Sequence, residues 1–327
     1  MHEPAAPRTS ADDPLAGLAA LPGVAEAVDA ARRACEELRW HEAYRRRWRE
    51  VRAEAGLRSA RGSAALDGAR VPLDVVRALA VGAGAGSDPG PGDPARPELA
   101  PAGAGHPERA RPGHSGGAAV DRSAPDVAVA TGALRAAAEV ERLMPGLGAR
   151  GAAALPPFGQ LAARLHAAAG RGWVADDDLG RLRTDQPPLD LRGLGAAPSG
   201  PEVAARLDLL GRVLRETRVP AVVVAAVVHG EVLALRPFVA GNGLVARALS
   251  RLVLTSRGLD PTGSLVPEHT WAGAPNPYLS AAAGFATGTP DGLAGWVAFC
   301  ARGAVGGARE ARAVADAVLA GRFPTDG

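Results

Sequence analysis

Apolar positions recur at helical spacing along most of this chain. Val24, Val28, Ala31, Cys35 and Leu38 stand alternately four and three residues apart, the buried stripe of an amphipathic helix, and the pattern runs on to about Ala55. Tyr44, Trp48 and Val51 continue it after a shift of phase. Pro72 suits a first helical turn and predicts a short helix with Val75, Val76 and Leu79 inward. The small residues of 62–68 predict a short helix or turn pressed against another element. Further helices are expected over Val129–Leu143, ending before Pro145-Gly146, and over Phe158–Ala169. Another covers Pro201–Thr217, with Val203, Leu207, Leu210, Val213 and Leu214 on one face. Leu244–Arg257 is helical in pattern and closes at Gly258. Thr289-Pro290-Asp291 opens a helix through Trp296 and Phe299, and a last one covers roughly Ala304–Ala320.

Ala221–Leu235 fits two readings. It is β-branched enough for a strand, and its length and unbroken apolarity fit a central buried helix equally well. Residues 171–200 are irregular, and Leu182–Leu191 is expected to form a short hairpin. The fold class is therefore all-α. The expected organisation is a flexible arm over 1–22, an N-terminal helical region over 23–81, a disordered Gly/Pro-rich linker over 82–127 and a helical domain over 128–327. Gly82-x-Gly84-x-Gly86 is not a nucleotide fingerprint, because it follows a helix and lies in low-complexity sequence.

Composition sharpens this picture only in part. Hydrophobic residues make up 47% of the 327 residues but aromatic ones only 4%, so the core must be built from Ala, Leu and Val. A formal charge of +2 makes no case for nucleic acid or a membrane surface. All 37 basic residues are Arg, so arginine-rich patches carry little weight as sites. Cys35 and Cys300 supply neither a disulfide framework nor a paired metal motif. The N-terminal stretch has no apolar signal core, and the longest apolar run, Ala221–Val228, is too short to span a bilayer. A cytoplasmic protein is expected.

Most isolated polar groups have structural readings. His106 and His114 lie in the low-complexity stretch without ligands at metal spacing. Asp176-Asp177-Asp178 is one contiguous run, which suits a helix entry or loop better than a closed cation site. His166 and His229 sit among apolar neighbours, as packed histidines do.

The loop after the long apolar segment is different. Arg236-Pro-Phe-Val-Ala-Gly-Asn-Gly-Leu-Val-Ala-Arg247 resembles the Fic (Fido) signature His-Pro-Phe-x-(Asp/Glu)-Gly-Asn-Gly-(Arg/Lys)-x-x-Arg. His229, Gly180-x-x-Arg183 with the segment to Leu191, Leu207–Leu214 and Trp296 stand where that family carries a histidine, its β-hairpin flap, a following helix and a tryptophan. Ser63-Ala-Ala-Leu-Asp67-Gly68 is similar to the Ser-x-x-x-Glu-Gly inhibitory motif of N-terminally regulated members, with Asp in place of Glu. The resemblance covers roughly residues 130–300 and implies a Fic-like helical bundle.

It also implies transfer of AMP from ATP, with Mg²⁺, to a hydroxyl of a target protein. Such transfer needs a base, a cation and donors for the transition-state charge. Backbone N–H groups of Gly241, Asn242 and Gly243 at a helix N-terminus form an anion cradle, and Arg247 lies about one turn on. The base position, however, holds Arg236, which stays protonated at any working pH. Ala240 at the metal-ligand position offers no side-chain oxygen, and Leu244 replaces a phosphate arginine. A silent module is therefore expected, binding a nucleotide, an anion or an unidentified protein partner through Gly241, Asn242, Gly243, Arg247 and Arg236. No catalytic residue is assigned, ATP follows from the resemblance alone, and Mg²⁺ is disfavoured by Ala240. The alternative is an active adenylyltransferase with another base, for which His229 and Asp176–Asp178 are the candidates. Asp67 either reaches Arg247 or caps a turn.

Overall fold

The computed structural model describes residues 13–84, 124–144 and 155–322. Thirteen α-helices and no strand occur among them. The N-terminal set is α1 (Ala16–Ala19), α2 (Val24–Arg39), α3 (Ala43–Arg46), α4 (Trp48–Leu66) and α5 (Leu73–Gly84). Then come α6 (Pro125–Leu143), α7 (Phe158–Gly170), α8 (Gly200–Glu216), α9 (Ala221–Leu235) and α10 (Asn242–Ser256). The chain closes with α11 (Pro267–Ala272), α12 (Pro275–Ala286) and α13 (Pro290–Leu319). None of these helices is long and apolar enough to cross a membrane.

Helix α9 is the axis of the bundle. All its residues except Ala221 and Glu231 are buried, so it has no polar face and must be covered on every side. Helices α10, α12 and α13 pack around it, α2 lies along α13, and α4 packs on α6 and α11. The choice between strand and helix for this segment thus falls to helix, because burial all round accepts Val as readily as Leu. Trp296 of α13 locks the contact by donating its indole N–H to the Ala226 carbonyl at 2.7 Å. A second apolar cluster joins α4, α5 and α6 to the outer side of α10 through Leu244, which is 1% exposed.

Several boundaries differ from the sequence pattern. Residues 304–320 are not a separate helix: α13 runs unbroken for 30 residues. Its Gly303, Gly306 and Gly307 do not break it, because they face α11, where an added Cβ would overlap Trp271, Thr270 and the backbone of Val266 and Pro267. These glycines serve close helix approach. The small residues of 62–68 are the last turn of α4 and its cap. Within the expected arm, Asp13 accepts hydrogen bonds from Thr217 Oγ1 at 2.8 Å and from the Arg218 amide at 2.6 Å, so residues from 13 on are tied to the bundle. The ends of the expected linker are helical, since α5 reaches Gly84 and α6 starts with Pro125 at its first turn. The rest of the linker, with Gly86, His106 and His114, lies outside the described residues, as do residues 1–12 of the expected arm. The expected hairpin over Leu182–Leu191 has no strand ladder; Pro187 and Pro188 remove two amide donors, and the segment is an irregular loop ending in a 3₁₀ turn at Arg192–Leu194.

Candidate functional site

The loop between α9 and α10 is held by side chains rather than by regular structure. Helix α9 ends on Arg236, whose left-handed conformation (φ 45°) turns the chain sharply. Gly241 (φ 80°) then caps α10, a conformation for which glycine has no steric penalty. Asn242, fully buried, closes the loop on itself: its Oδ1 accepts from the Phe238 amide at 2.8 Å and its Nδ2 donates to the Phe238 carbonyl at 2.9 Å. His166 of α7 supports the loop from below. Its ring stacks on Phe238 at 3.9 Å, its Nδ1 accepts from the Gly180 amide at 2.9 Å, and its Nε2 therefore carries the proton donated to the Ala240 carbonyl at 2.9 Å. Burial pushes this imidazole below its ordinary value, consistent with a neutral ring that has one acceptor and one donor.

At the N-terminus of α10 the protein places carboxylates of its own. The Asp190 carboxylate accepts the Asn242 backbone N–H at 2.8 Å and the Asn242 Nδ2–H at 2.7 Å. On the other side of the same turn stands Asp67, close enough that a Cβ at Gly243 would collide with its carboxylate and with Arg247. Burial raises the pKa of Asp190 against the hydrogen bonds from Asn242, and the charge of Asp67 raises it further. Two carboxylates thus share one helix N-terminus, where the peptide dipoles favour negative charge.

Arg247 is locked into a buried chain of donors. Its Nε donates to Ser63 Oγ at 2.7 Å, and its Nη2 donates to the Ser63 carbonyl at 2.9 Å and to Asp67 Oδ1 at 2.7 Å. Nη1 donates to the Tyr278 hydroxyl at 3.3 Å, and that hydroxyl lies 2.7 Å from His229 Nε2. Burial opposes the charge of Arg247, but Asp67 and Tyr278 more than offset this and raise its pKa. Burial first, and the Arg247 charge second, hold His229 well below its ordinary value. Asp67 therefore reaches Arg247, and it also ends α4, with Gly68 (φ 95°) continuing the turn.

Arg236 faces another way. Its Nη1 donates to the Leu191 carbonyl at 3.2 Å and its Nη2 to the Gly195 carbonyl at 3.0 Å, so it grips the 180–199 loop. Its hydrogen-bond partners differ from those of Arg247, and the left-handed turn at 236 directs the side chain to the loop. The same loop is pinned by the amides of Arg183 and Leu189, which donate to Pro237 O at 2.9 Å and Val239 O at 2.7 Å. Arg183 itself donates to the carbonyls of Arg236, Leu235 and Pro198.

Position 240 contributes only its carbonyl, already bound by His166, and no group of three or more His, Cys, Asp or Glu residues among the described residues is placed to hold a metal ion. The residues here do not fit a Mg²⁺ site of the kind the resemblance implies. His229 is sealed among Trp271, Tyr278 and Trp296, with no route for a substrate hydroxyl. Asp176–Asp178 forms a 3₁₀ turn in which Asp176 and Asp177 are exposed and Asp178, half-buried, acts on His166 through its charge. Sequence reasoning missed Asp190 and Tyr278. Asp190 had a usable signal, as the one acid between Pro188 and the turn before α8; Tyr278 lay in a stretch with no legible periodicity.

This architecture, with a buried helix feeding a Gly-Asn-Gly loop at the head of a second helix, defines the Fic fold. Residues 157–254 match the family model described as "Fic/DOC family". The whole chain is also similar to a Fic family protein from Desulfovibrio desulfuricans G20, at 19% identity and a TM-score of 0.59, covering 92% of this chain and 76% of that one. Residues 134–508 of Fic-1 from C. elegans match at 14% identity and a TM-score of 0.53, covering 91% and 75% respectively. No curated protein matches the sequence.

Proposed function

We propose that this is a Fic-domain protein that has lost AMP transfer and works by binding, with the Gly241–Gly243 turn as an anion cradle gated by its own carboxylates. The observation that carries this reading is Arg236. It occupies the base position of the signature, it is a permanent cation, and its guanidinium is committed to two loop carbonyls. A general base is worth about a hundred- to ten-thousand-fold in rate. Ala240 and the buried Leu244 remove a cation ligand and a phosphate donor besides.

Nucleotide phosphates compete for this cradle with Asp190 and Asp67. The reading is therefore of a module that binds a nucleotide, a simple anion or a partner's acidic group once these carboxylates withdraw. The setting proposed is cytoplasmic, with a protein partner and neither nucleic acid nor membrane. The test is a thermal-shift series of the full chain with ATP, AMP and inorganic phosphate at constant ionic strength. Stabilisation that grows with ligand and is larger in Asp190→Ala supports the cradle. Identical melting at every millimolar ligand concentration removes nucleotide and anion binding from the account.

A further inference from the structure

A separate cavity of about 640 Å³ opens between the 183–189 segment, the 192–199 segment and Arg236. That volume lies within the range of small-molecule sites. It lies on the loop side of Arg236, and Asp67, Asn242 and Arg247 are not among its lining residues.

Three arginines line it: Arg183, Arg192 and Arg236. Arg192 stands exposed, whereas Arg183 is 5% and Arg236 2% exposed. The two buried guanidiniums donate only to neutral carbonyls: Leu235, Arg236 and Pro198 for the first, Leu191 and Gly195 for the second. Carbonyls satisfy hydrogen bonds but leave the charges uncompensated, and burying like charges side by side without a counter-ion is costly. The one acid acting on Arg236 is Asp190, and its oxygens are already engaged by Asn242. Asp185, also on the cavity wall, is exposed. Arg236 Nε is buried with no hydrogen-bond partner. The two non-glycine residues with positive φ among the described residues, Leu191 and Arg236, are bonded to one another, and of the two Arg236 lines the cavity; such backbone strain clusters where sites are built.

We infer that this cavity is an oxyanion site, in which Arg236 and Arg183 receive the phosphate or carboxylate group of a small ligand and Arg192 closes over its rim. Leu189, Pro188 and Pro198 give the ligand body an apolar wall. The site does not depend on the cradle at α10. A ligand here neutralises the arginine pair while Asp67 and Asp190 stay in place.

The test is calorimetric titration of the full chain with inorganic phosphate and, separately, with acetate, at fixed ionic strength set by chloride. Arg192→Ala removes the rim charge without touching the buried wall, and Arg236→Gln removes a buried one. Saturable binding of phosphate, acetate or both is expected, weakened several-fold by Arg192→Ala. Loss of a hydrogen bond to a charged group weakens binding by roughly ten- to a hundredfold, which is the range expected for Arg236→Gln. Because Arg236→Gln also loosens the loop, Arg192→Ala alone decides if that variant does not fold. Preference for phosphate assigns a phosphate site, and preference for acetate a carboxylate site. Binding of neither, or binding unchanged by Arg192→Ala, overturns the inference. Arg192→Ala also separates the two sites: it weakens binding here and leaves binding at the cradle, whose residues it does not touch, unchanged.

Discussion

Asp190 holds Asn242 with both of its oxygens, one on the backbone amide at 2.8 Å and one on the side-chain amide at 2.7 Å. The acid comes from the 180–199 loop and the amide from the first turn of α10, so this pair fastens the loop over the place where an anion would sit. Replacing Asp190 by Ala frees the amide and removes one negative charge from the cradle. The expected result is phosphate or ATP binding at the cradle about tenfold tighter, the effect of roughly 1.4 kcal/mol. Stability should fall by about 1–3 kcal/mol, because the Asn242 donors lose their buried acceptor. Titration of wild type and Asp190→Ala with ATP checks both the sign and the size. Unchanged affinity would mean that Asp190 does not gate the site.

The ion pair of Arg247 with Asp67 joins the N-terminal helices to α10. Removing one partner of a buried pair leaves an uncompensated charge, at a cost of about 3–5 kcal/mol. Asp67→Asn, which leaves the fully buried Arg247 guanidinium without its counter-charge, should therefore lower the stability measured by urea unfolding by about that much. Asp67→Glu, which keeps the carboxylate, should cost clearly less. Equal losses in the two variants would mean that charge is not what matters at this contact.

Stability should fall as the solution is acidified below the ordinary histidine value of 6.5, because His166 and His229 are held below it in the folded state. Above 6.5 both are neutral, folded and unfolded, and contribute no slope. Below it the unfolded chain takes up protons that the folded one refuses, until the folded values are reached. Each group removes at most about 1.4 kcal/mol per pH unit in that window. Burial raises Glu141, Asp190 and Glu268, which works in the opposite direction at lower pH. Comparison with His166→Gln isolates the imidazole, since the amide keeps one donor and one acceptor. The urea midpoint of this variant should lose less between pH 7.5 and about 5.5 than that of wild type. Parallel curves would show that His166 does not titrate in this window.

Much of the fold was legible because α2, α7 and α8 each bury one face and so print a helical period. Helix α9 printed none, since it is apolar all round, and only its packing distinguishes helix from strand. The separate last helix expected over Ala304–Ala320 is part of α13, because Gly303, Gly306 and Gly307 face α11 instead of ending their own helix. The signature loop and the Ser63–Gly68 motif could be read in the sequence through their resemblance to the family's motifs. The direction of Arg236 could not, because it depends on a left-handed backbone at one residue. Asp190 escaped notice because its role comes from a fold-level contact, 52 residues apart in sequence.

Loss of AMP transfer is the central claim, and it is tested most directly by incubating the full chain with Mg²⁺, ATP labelled on the α-phosphate and a cell lysate. The triple variant Arg236→His, Ala240→Glu, Leu244→Arg serves as the restored comparison. The account predicts no labelled protein above background for wild type, and labelled protein for the restored variant if it folds with Leu244 replaced in its buried position. Labelling by wild type well above background, persisting in Arg236→Ala, would contradict it.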